Sequence, residues 1–193
     1  MGTESSGSAV KASRPTRPRV EVLRVGHRPG RDPRLSTHVA LVARAFGAER
    51  MYLHPPDATV AESLAGVRER WGGTFEVVPA PSWSSVVHAA RGPVVHLTMY
   101  GLPLRRVLAR LRRARELLLV VGGAKVPPKL YGEATFNVSV GSQPHSEVAA
   151  VAVVLHELLG PPERRAFPGA RQRVVPRARG KSVVRASGPG GGP

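Results

Sequence analysis

Two periods of apolar residues alternate along the middle of the chain. Residues 20–25 (VEVLRV) read as a strand. Ser36 or Thr37 is placed to cap a helix over 37–46, with Gly47 as its stop. Residues 51–53 form a short strand, and Thr59 caps a helix through Trp71, ahead of Gly72 and Gly73. A strand at 75–78, a short helix at 82–90 and a strand at 94–97 follow. In the next helix, 104–114, Leu104, Val107, Leu108 and Leu111 share one face. Arg105, Arg106, Arg110, Arg112 and Arg113 take the other. Residues 117–121 are apolar throughout, as a strand covered on both faces must be. Residues 136–140 are a further strand and 145–159 the last helix. Over 148–159 that helix is apolar nearly all round, which predicts burial on every side, with a partner subunit as the natural cover.

Strand followed by helix, repeated, predicts an α/β fold with a mainly parallel sheet flanked by helices. Residues 18–160 form its single domain. Residues 1–17, rich in Ser, Gly, Lys and Pro, and residues 161–193, basic and rich in Gly and Pro, read as tails without a packed core. No apolar run approaches the roughly 18–20 residues that span a bilayer, and the start lacks a signal-peptide core, so a cytoplasmic location is expected.

Charge adds a partner. The chain of 193 residues carries 29 Lys and Arg against 13 Asp and Glu, a formal net charge of +16. Arginine supplies most of it, which suits phosphate recognition. The surplus is split among the two ends and the body: residues 160–193 hold eight basic groups against Glu163 alone. A nucleic acid is the expected partner. There are no cysteines, which excludes disulfides, thiolate metal sites and cysteine nucleophiles.

Ligands of parallel sheets bind beyond the carboxyl ends of the strands. That rule selects three loops: after Leu97 (Thr98, Met99, Tyr100, Gly101), after Val121 (Gly122 to Pro127) and after Val140 (Gly141 to Glu147). Their glycines permit close backbone approach. Neither GxxxxGK[ST] nor GxGxxG occurs, so a nucleotide-phosphate cradle is not supported. Each loop alone reads as an ordinary Gly-Pro turn, whereas three at one sheet end point to a cofactor pocket.

Five stretches now carry a resemblance: LRVGHRPGRDPR (23–34), THVALVARAFGA (37–48), HLTMYG (96–101), VGGAKVP (121–127) and VGSQPHSEVAA (140–150). Together they resemble the archaeal tRNA 2′-O-methyltransferases that modify cytidine 56 of the T-loop, in the knotted SPOUT superfamily. The resemblance implies a C-terminal trefoil knot, a homodimer with the site near the interface, and S-adenosylmethionine as methyl donor. It places Leu97, Gly123, Ala124, Lys125, Val126 and Pro127 around that cofactor. Gly141, Ser142, Gln143, Pro144, His145, Ser146, Glu147 and Val148 complete the set. The alternatives are the same chemistry on another tRNA or rRNA ribose, and an RNA-binding relative that has lost catalysis.

A ribose hydroxyl is a weak nucleophile and a sulfonium methyl is already activated, so such chemistry needs positioning and help with deprotonation, not a metal. The seven histidines show no metal-ligand spacing. The superfamily often has an arginine six residues before the glycine that ends its first helix. Here that position is Leu41. The candidates nearby are Arg34 and His38, with Arg44 in reserve. Arg28 and Arg31 share a polar loop with Arg34 at a strand's carboxyl end and read as a grip on the RNA backbone.

Overall fold

The computed structural model describes residues 17–31, 33–123 and 126–186. The elements run β1 (Arg19–Val25), α1 (Pro33–Phe46), β2 (Arg50–His54), α2 (Ala58–Trp71), β3 (Glu76–Pro79), α3 (Trp83–His88), β4 (Val94–Pro103) and α4 (Leu104–Arg113). They continue with β5 (Glu116–Gly122), α5 (Pro128–Glu133), β6 (Phe136–Ser139) and α6 (Glu147–Leu159). A 3-10 turn (Pro162–Arg164) and a hairpin of β7 (Gln172–Val174) and β8 (Val183–Arg185) close the chain.

The main sheet has six strands in the order β3-β2-β1-β5-β4-β6, all parallel. β5 thus lies between β1 and β4, where the strand order changes direction. Val20 and Val22 of β1 and Leu117, Leu119 and Val121 of β5 face α1, α2, α4 and α6. Leu23, Val25, Leu118 and Val120 alternate to the other face, where Val87 of α3 and Leu130 of α5 cover them. Burial on both faces is why these strands lack a polar side. α5 is absent from the sequence expectation: its six residues, two of them Pro128 and Gly132, carry too little periodicity. No helix among the described residues is long and apolar enough to cross a membrane.

Two helix starts differ from expectation. α1 begins at Pro33, three residues before the expected cap, because proline suits the first helical turn. Ser36 is instead enclosed, and its Oγ lies 2.8 Å from His27 Nδ1. α2 is capped by Asp57, not Thr59: Asp57 Oδ1 accepts from Thr59 N at 2.9 Å. The other Asp57 oxygen lies 3.0 Å from His27 Nε2. Buried His27 therefore ties the first loop to α1 and to the start of α2. In the neutral ring Nε2–H donates to Asp57 and Nδ1 accepts from Ser36. Ser36, His27 and Asp57 stand in the order of an acyl-transfer triad, but the serine is 0% exposed and no substrate reaches it.

Hydrogen bonds from Thr59 and His27 hold the Asp57 carboxyl below its ordinary range. A depressed carboxylate contributes stability above its unfolded pKa and loses it as pH falls through the folded value. Asp57→Ala is expected to cost about 2 kcal/mol at neutral pH, since a cap and a buried partner go together. The deficit should shrink in acid, as read by urea unfolding at several pH values. An equal deficit at every pH would refute the linkage.

The segment after α6 is packed rather than loose, at least over its first part. Pro168 O accepts from Gly73 N at 2.8 Å and Arg70 O accepts from Arg171 N at 3.0 Å. Arg171 also pairs with Glu69 at 2.8 Å. Gly72, at φ 69°, lies so close beneath this segment that a Cβ there would meet Ala170 N at 2.5 Å. Composition suggested a tail because few of its residues are apolar; backbone hydrogen bonds and one aromatic ring hold it instead. The expectation for residues 1–16 falls outside the described residues.

Candidate active site

At the carboxyl ends of β4, β5 and β6 the three selected loops enclose one cavity of about 490 Å³. Each wall has a local cause. β4 and β6 lose register between Leu97 and Leu102, so Thr98, Met99 and Tyr100 bulge toward the cavity. The bulge needs Gly101: a Cβ there would sit 2.3 Å from Val138 N and 2.6 Å from Asn137 O. β5 ends at Gly122, where a Cβ would meet Val126 Cγ2 at 2.4 Å, so the returning loop closes tightly over it. Ser146 caps α6 by accepting from Val148 N at 3.2 Å, and this cap delivers Glu147 to the wall.

Beneath this wall lies a charge that the periodicity concealed. Arg24 continues the Val20–Val22 face of β1 into the helical layer and is 1% exposed. Its Nη1 donates to Val25 O at 2.8 Å, and its Nη2 lies 3.0 Å from Glu147 Oε2. The pair fixes the start of α6 against β1. An ideal Cβ on Gly123 would stand 3.3 Å from Glu147 Oε1, so the loop backbone passes close to this carboxylate. The clue in the sequence was an arginine within an apolar strand, VEVLRV.

A second polar unit lines the cavity from β4. His96 Nδ1 lies 2.8 Å from Asn137 Oδ1, and Asn137 Nδ2 donates to Tyr131 O at 2.8 Å. That leaves the amide oxygen to accept, so the Nδ1–H tautomer is the consistent one. Burial depresses the His96 pKa, against a smaller opposing effect from Asn137, and keeps the ring neutral. The Tyr131 ring meets it edge-on at 4.7 Å. His96, Tyr131 and Tyr100 were not singled out among the cofactor residues, because strand alternation does not reveal which face meets a pocket.

Of the expected cofactor residues, Leu97, Gly123, Val126, Pro144, His145 and Glu147 line the cavity. Pro127, Gly141, Ser142, Gln143, Ser146 and Val148 lie in the same loops or at the first residues of α6 but not in the wall. Ala124 and Lys125 lie outside the described residues. A larger cavity, about 660 Å³, opens beneath α3, yet its carboxylate Glu21 is engaged by Arg50 at 3.4 Å and Glu116 by Arg19 at 3.5 Å. It lacks the convergent loops.

The catalytic candidates separate. Arg34 and His38 are exposed on the first turns of α1, at the cavity's end of the sheet, but no α1 residue lines the cavity. Arg28 and Arg31 are exposed in the preceding loop. Arg44 is a correction to the sequence reading. Ten residues beyond Arg34, it lies about 15 Å down the helix. There its Nη2 donates to Trp71 O at 3.0 Å and Gly72 O at 2.7 Å, and its guanidinium covers the Phe167 ring at 4.4 Å. It is a clamp between α1, the end of α2 and the C-terminal segment. Arg44→Met is expected to cost about 2 kcal/mol by orphaning two carbonyls, with the transfer rate unchanged at a permissive temperature. A folded Arg44→Met protein that fails to transfer methyl groups would return it to the site.

Residues 71–184 match a family described as tRNA ribose 2′-O-methyltransferase, aTrm56. A tRNA (cytidine(56)-2′-O)-methyltransferase of Archaeoglobus fulgidus is 52% identical over 165 residues, covering 86% of this chain and 98% of that protein. The protein of the same name from Thermococcus kodakarensis is 48% identical over 86% of this chain and 96% of its own. Among solved structures, an RNA 2′-O ribose methyltransferase is similar with TM-score 0.56 at 19% identity, over 79% of this chain and 60% of that one. An AdoMet-bound rRNA methyltransferase from Sinorhizobium meliloti gives TM-score 0.53 at 19% identity, over 75% and 57%. The chain thus spans less than two thirds of these solved structures, and the likeness to them is one of fold.

Proposed function

The chain belongs to the tRNA ribose 2′-O-methyltransferase family, and from that premise we propose that it transfers a methyl group from S-adenosylmethionine to the 2′-hydroxyl of cytidine 56 in the tRNA T-loop. The observation that carries the reading is the single cavity made by all three selected loops at the carboxyl edge of the sheet. Its volume lies within the usual range for small-ligand sites, about 300–1,000 Å³. Its chemistry also fits the donor: glycine backbone at Gly122 and Gly123, apolar contact from Leu97, Val126 and Pro144, and one carboxylate, Glu147, to accept from ribose hydroxyls or an ammonium group.

When bound there, S-adenosylmethionine supplies an electrophilic methyl on a sulfonium. The chain's own residues do the rest. Arg24 holds Glu147 in place. His96, neutral and fixed by Asn137, lines the pocket without adding a cation. His38 accepts the hydroxyl proton at a ring nitrogen, and Arg34 forks the neighbouring phosphate. Arg28 and Arg31 extend that grip. Since neither Arg34 nor His38 lines the cavity of its own chain, a second copy brings them there. The homodimer covers the open face of α6, where Val153 is 45% exposed beside exposed Ala149. The trefoil threading, the remaining loop residues as cofactor contacts and a cytoplasmic location belong to the same proposal.

Transfer of labelled methyl to unmodified tRNA tests it. Incorporation should vanish when the position-56 base is changed and persist when other T-loop bases are changed. Cofactor binding without labelling of any tRNA would refute the substrate. Arg34→Ala should lower kcat about tenfold with cofactor affinity intact, the scale of one charge-assisted contact.

A further inference from the structure

At the amino edge of the sheet, opposite the methyl-transfer cavity, a further cavity of about 480 Å³ opens among Arg91, Arg110, Arg113, Arg115 and Phe136. All four arginines are exposed. The carboxylate at its wall, Glu116, leans toward Arg19 at 3.5 Å. The Arg110 guanidinium lies 4.9 Å from the Phe136 ring centroid, which holds that planar fork in one orientation.

The same helix joins the two ends of the sheet. α4 starts beside the carboxyl end of β4 and finishes at this cavity. Arg106, Arg110 and Arg113 stand at i, i+4 and i+7, one exposed stripe about 10 Å long. Like charges at this spacing weaken a helix by a few tenths of a kcal/mol per pair. α4 (LRRVLARLRR) contains no carboxylate of its own, and Arg112, beside the stripe, pairs with Glu157 of α6 at 3.3 Å. α2 shows the contrast, with Glu62 and Glu69 set among Arg68 and Arg70. The other half of the amino edge is likewise neutralised: Arg19 meets Glu49 at 3.0 Å and Arg50 meets Glu21 at 3.4 Å. Exposed arginines on one helix, gathered around one cavity, fit an anionic, extended ligand.

We propose that the arginine cavity and the α4 stripe grip the phosphodiester backbone of the substrate RNA, at a site separate from the methyl-transfer pocket. The proposal rests on tRNA being the substrate. The two cavities share β5, which rises about 20 Å from Glu116 at one to Gly122 at the other, the rise of about six stacked nucleotides. A strand held at the amino edge therefore reaches the reacting nucleotide along α4.

The test is Arg110→Gln/Arg113→Gln/Arg115→Gln in the full chain, with tRNA affinity measured across KCl concentrations. The slope of log Kd against log salt should fall by about 2–3, one phosphate per arginine, and Kd near 0.1 M salt should rise at least about tenfold. KM for tRNA should rise while kcat and cofactor affinity stay at the wild-type values. An unchanged slope overturns the proposal. So does an equal fall in the matched variant Arg68→Gln/Arg173→Gln/Arg177→Gln, because diffuse charge then suffices. Should the triple variant lose cofactor binding through misfolding, Arg91→Gln carries the test alone, with a slope change of about 1 expected and no change overturning the proposal. Wild-type protein that binds tRNA with the full slope but transfers no methyl group refutes the proposed function and leaves this grip standing.

Discussion

Glu147→Ala is expected to cost about 3 kcal/mol of stability and to weaken cofactor binding at least about tenfold in the same protein. The stability loss comes from Arg24, 1% exposed, whose charge Glu147 answers at 3.0 Å. Removing one member of such a pair leaves the other charge in a medium that solvates it poorly. The binding loss comes from the wall, since the start of α6 and the backbone at Gly123 are both set by this carboxylate. Urea unfolding and calorimetric titration with S-adenosylmethionine check the two effects separately. The double variant Arg24→Met/Glu147→Leu sharpens the argument. It should recover most of the stability, because an apolar pair of similar volume replaces two desolvated charges. It should not recover cofactor affinity. If Glu147→Ala binds cofactor as the wild type does, the carboxylate is only a strut.

The second large effect is expected at Gly101. A methyl group there overlaps the backbone of Asn137 and Val138 at 2.3–2.6 Å, and backbone in a strand pair cannot swing aside as a side-chain tip can. Gly101→Ala should therefore separate β4 from β6 locally, at about 3 kcal/mol. The bulge that presents Thr98, Met99 and Tyr100 would shift with it. Methyl transfer should fall by at least about a hundredfold even where the protein stays folded, because misplacement by about 1 Å near the reacting groups has that consequence. Gly132→Ala is the control: nothing lies within 4 Å of a Cβ there, and the substitution should leave both stability and transfer near wild type. A fully active Gly101→Ala protein would show that the β4 bulge is not part of the site.

Much of the architecture was legible in the chain itself. Alternating periods of two and of 3.6 located eleven of the twelve elements of the main domain, because the burial that drives each one repeats at its own local spacing. α5 escaped since six residues around Pro128 and Gly132 complete barely one period. The all-apolar run of β5 announced a central strand, and it lies between β1 and β4. The rule that parallel sheets bind ligands beyond the carboxyl ends of their strands selects three loops, and all three meet at one cavity.

Side-chain roles were legible only where they depend on the residue's own element. Arg44 looked like a site residue because it follows Leu41 on the same helical face. It proved to be a clamp because a segment more than a hundred residues later brings Phe167 beneath it. Ser36 looked like a helix cap and became a ligand of His27, since Pro33 starts the helix earlier. Arg24 carried no role in the sequence reading, because its partner Glu147 comes from α6, more than a hundred residues away. The sequence alone thus determined the element types, the parallel sheet, the basic surface and the loops that hold chemistry, all set by local periodicity and composition. Only the tertiary structure decided which charges are buried together, which loop residues face the cavity and where the catalytic-end arginines stop. Those depend on strand order, and strand order follows from contacts between segments far apart in the chain, which no local period encodes.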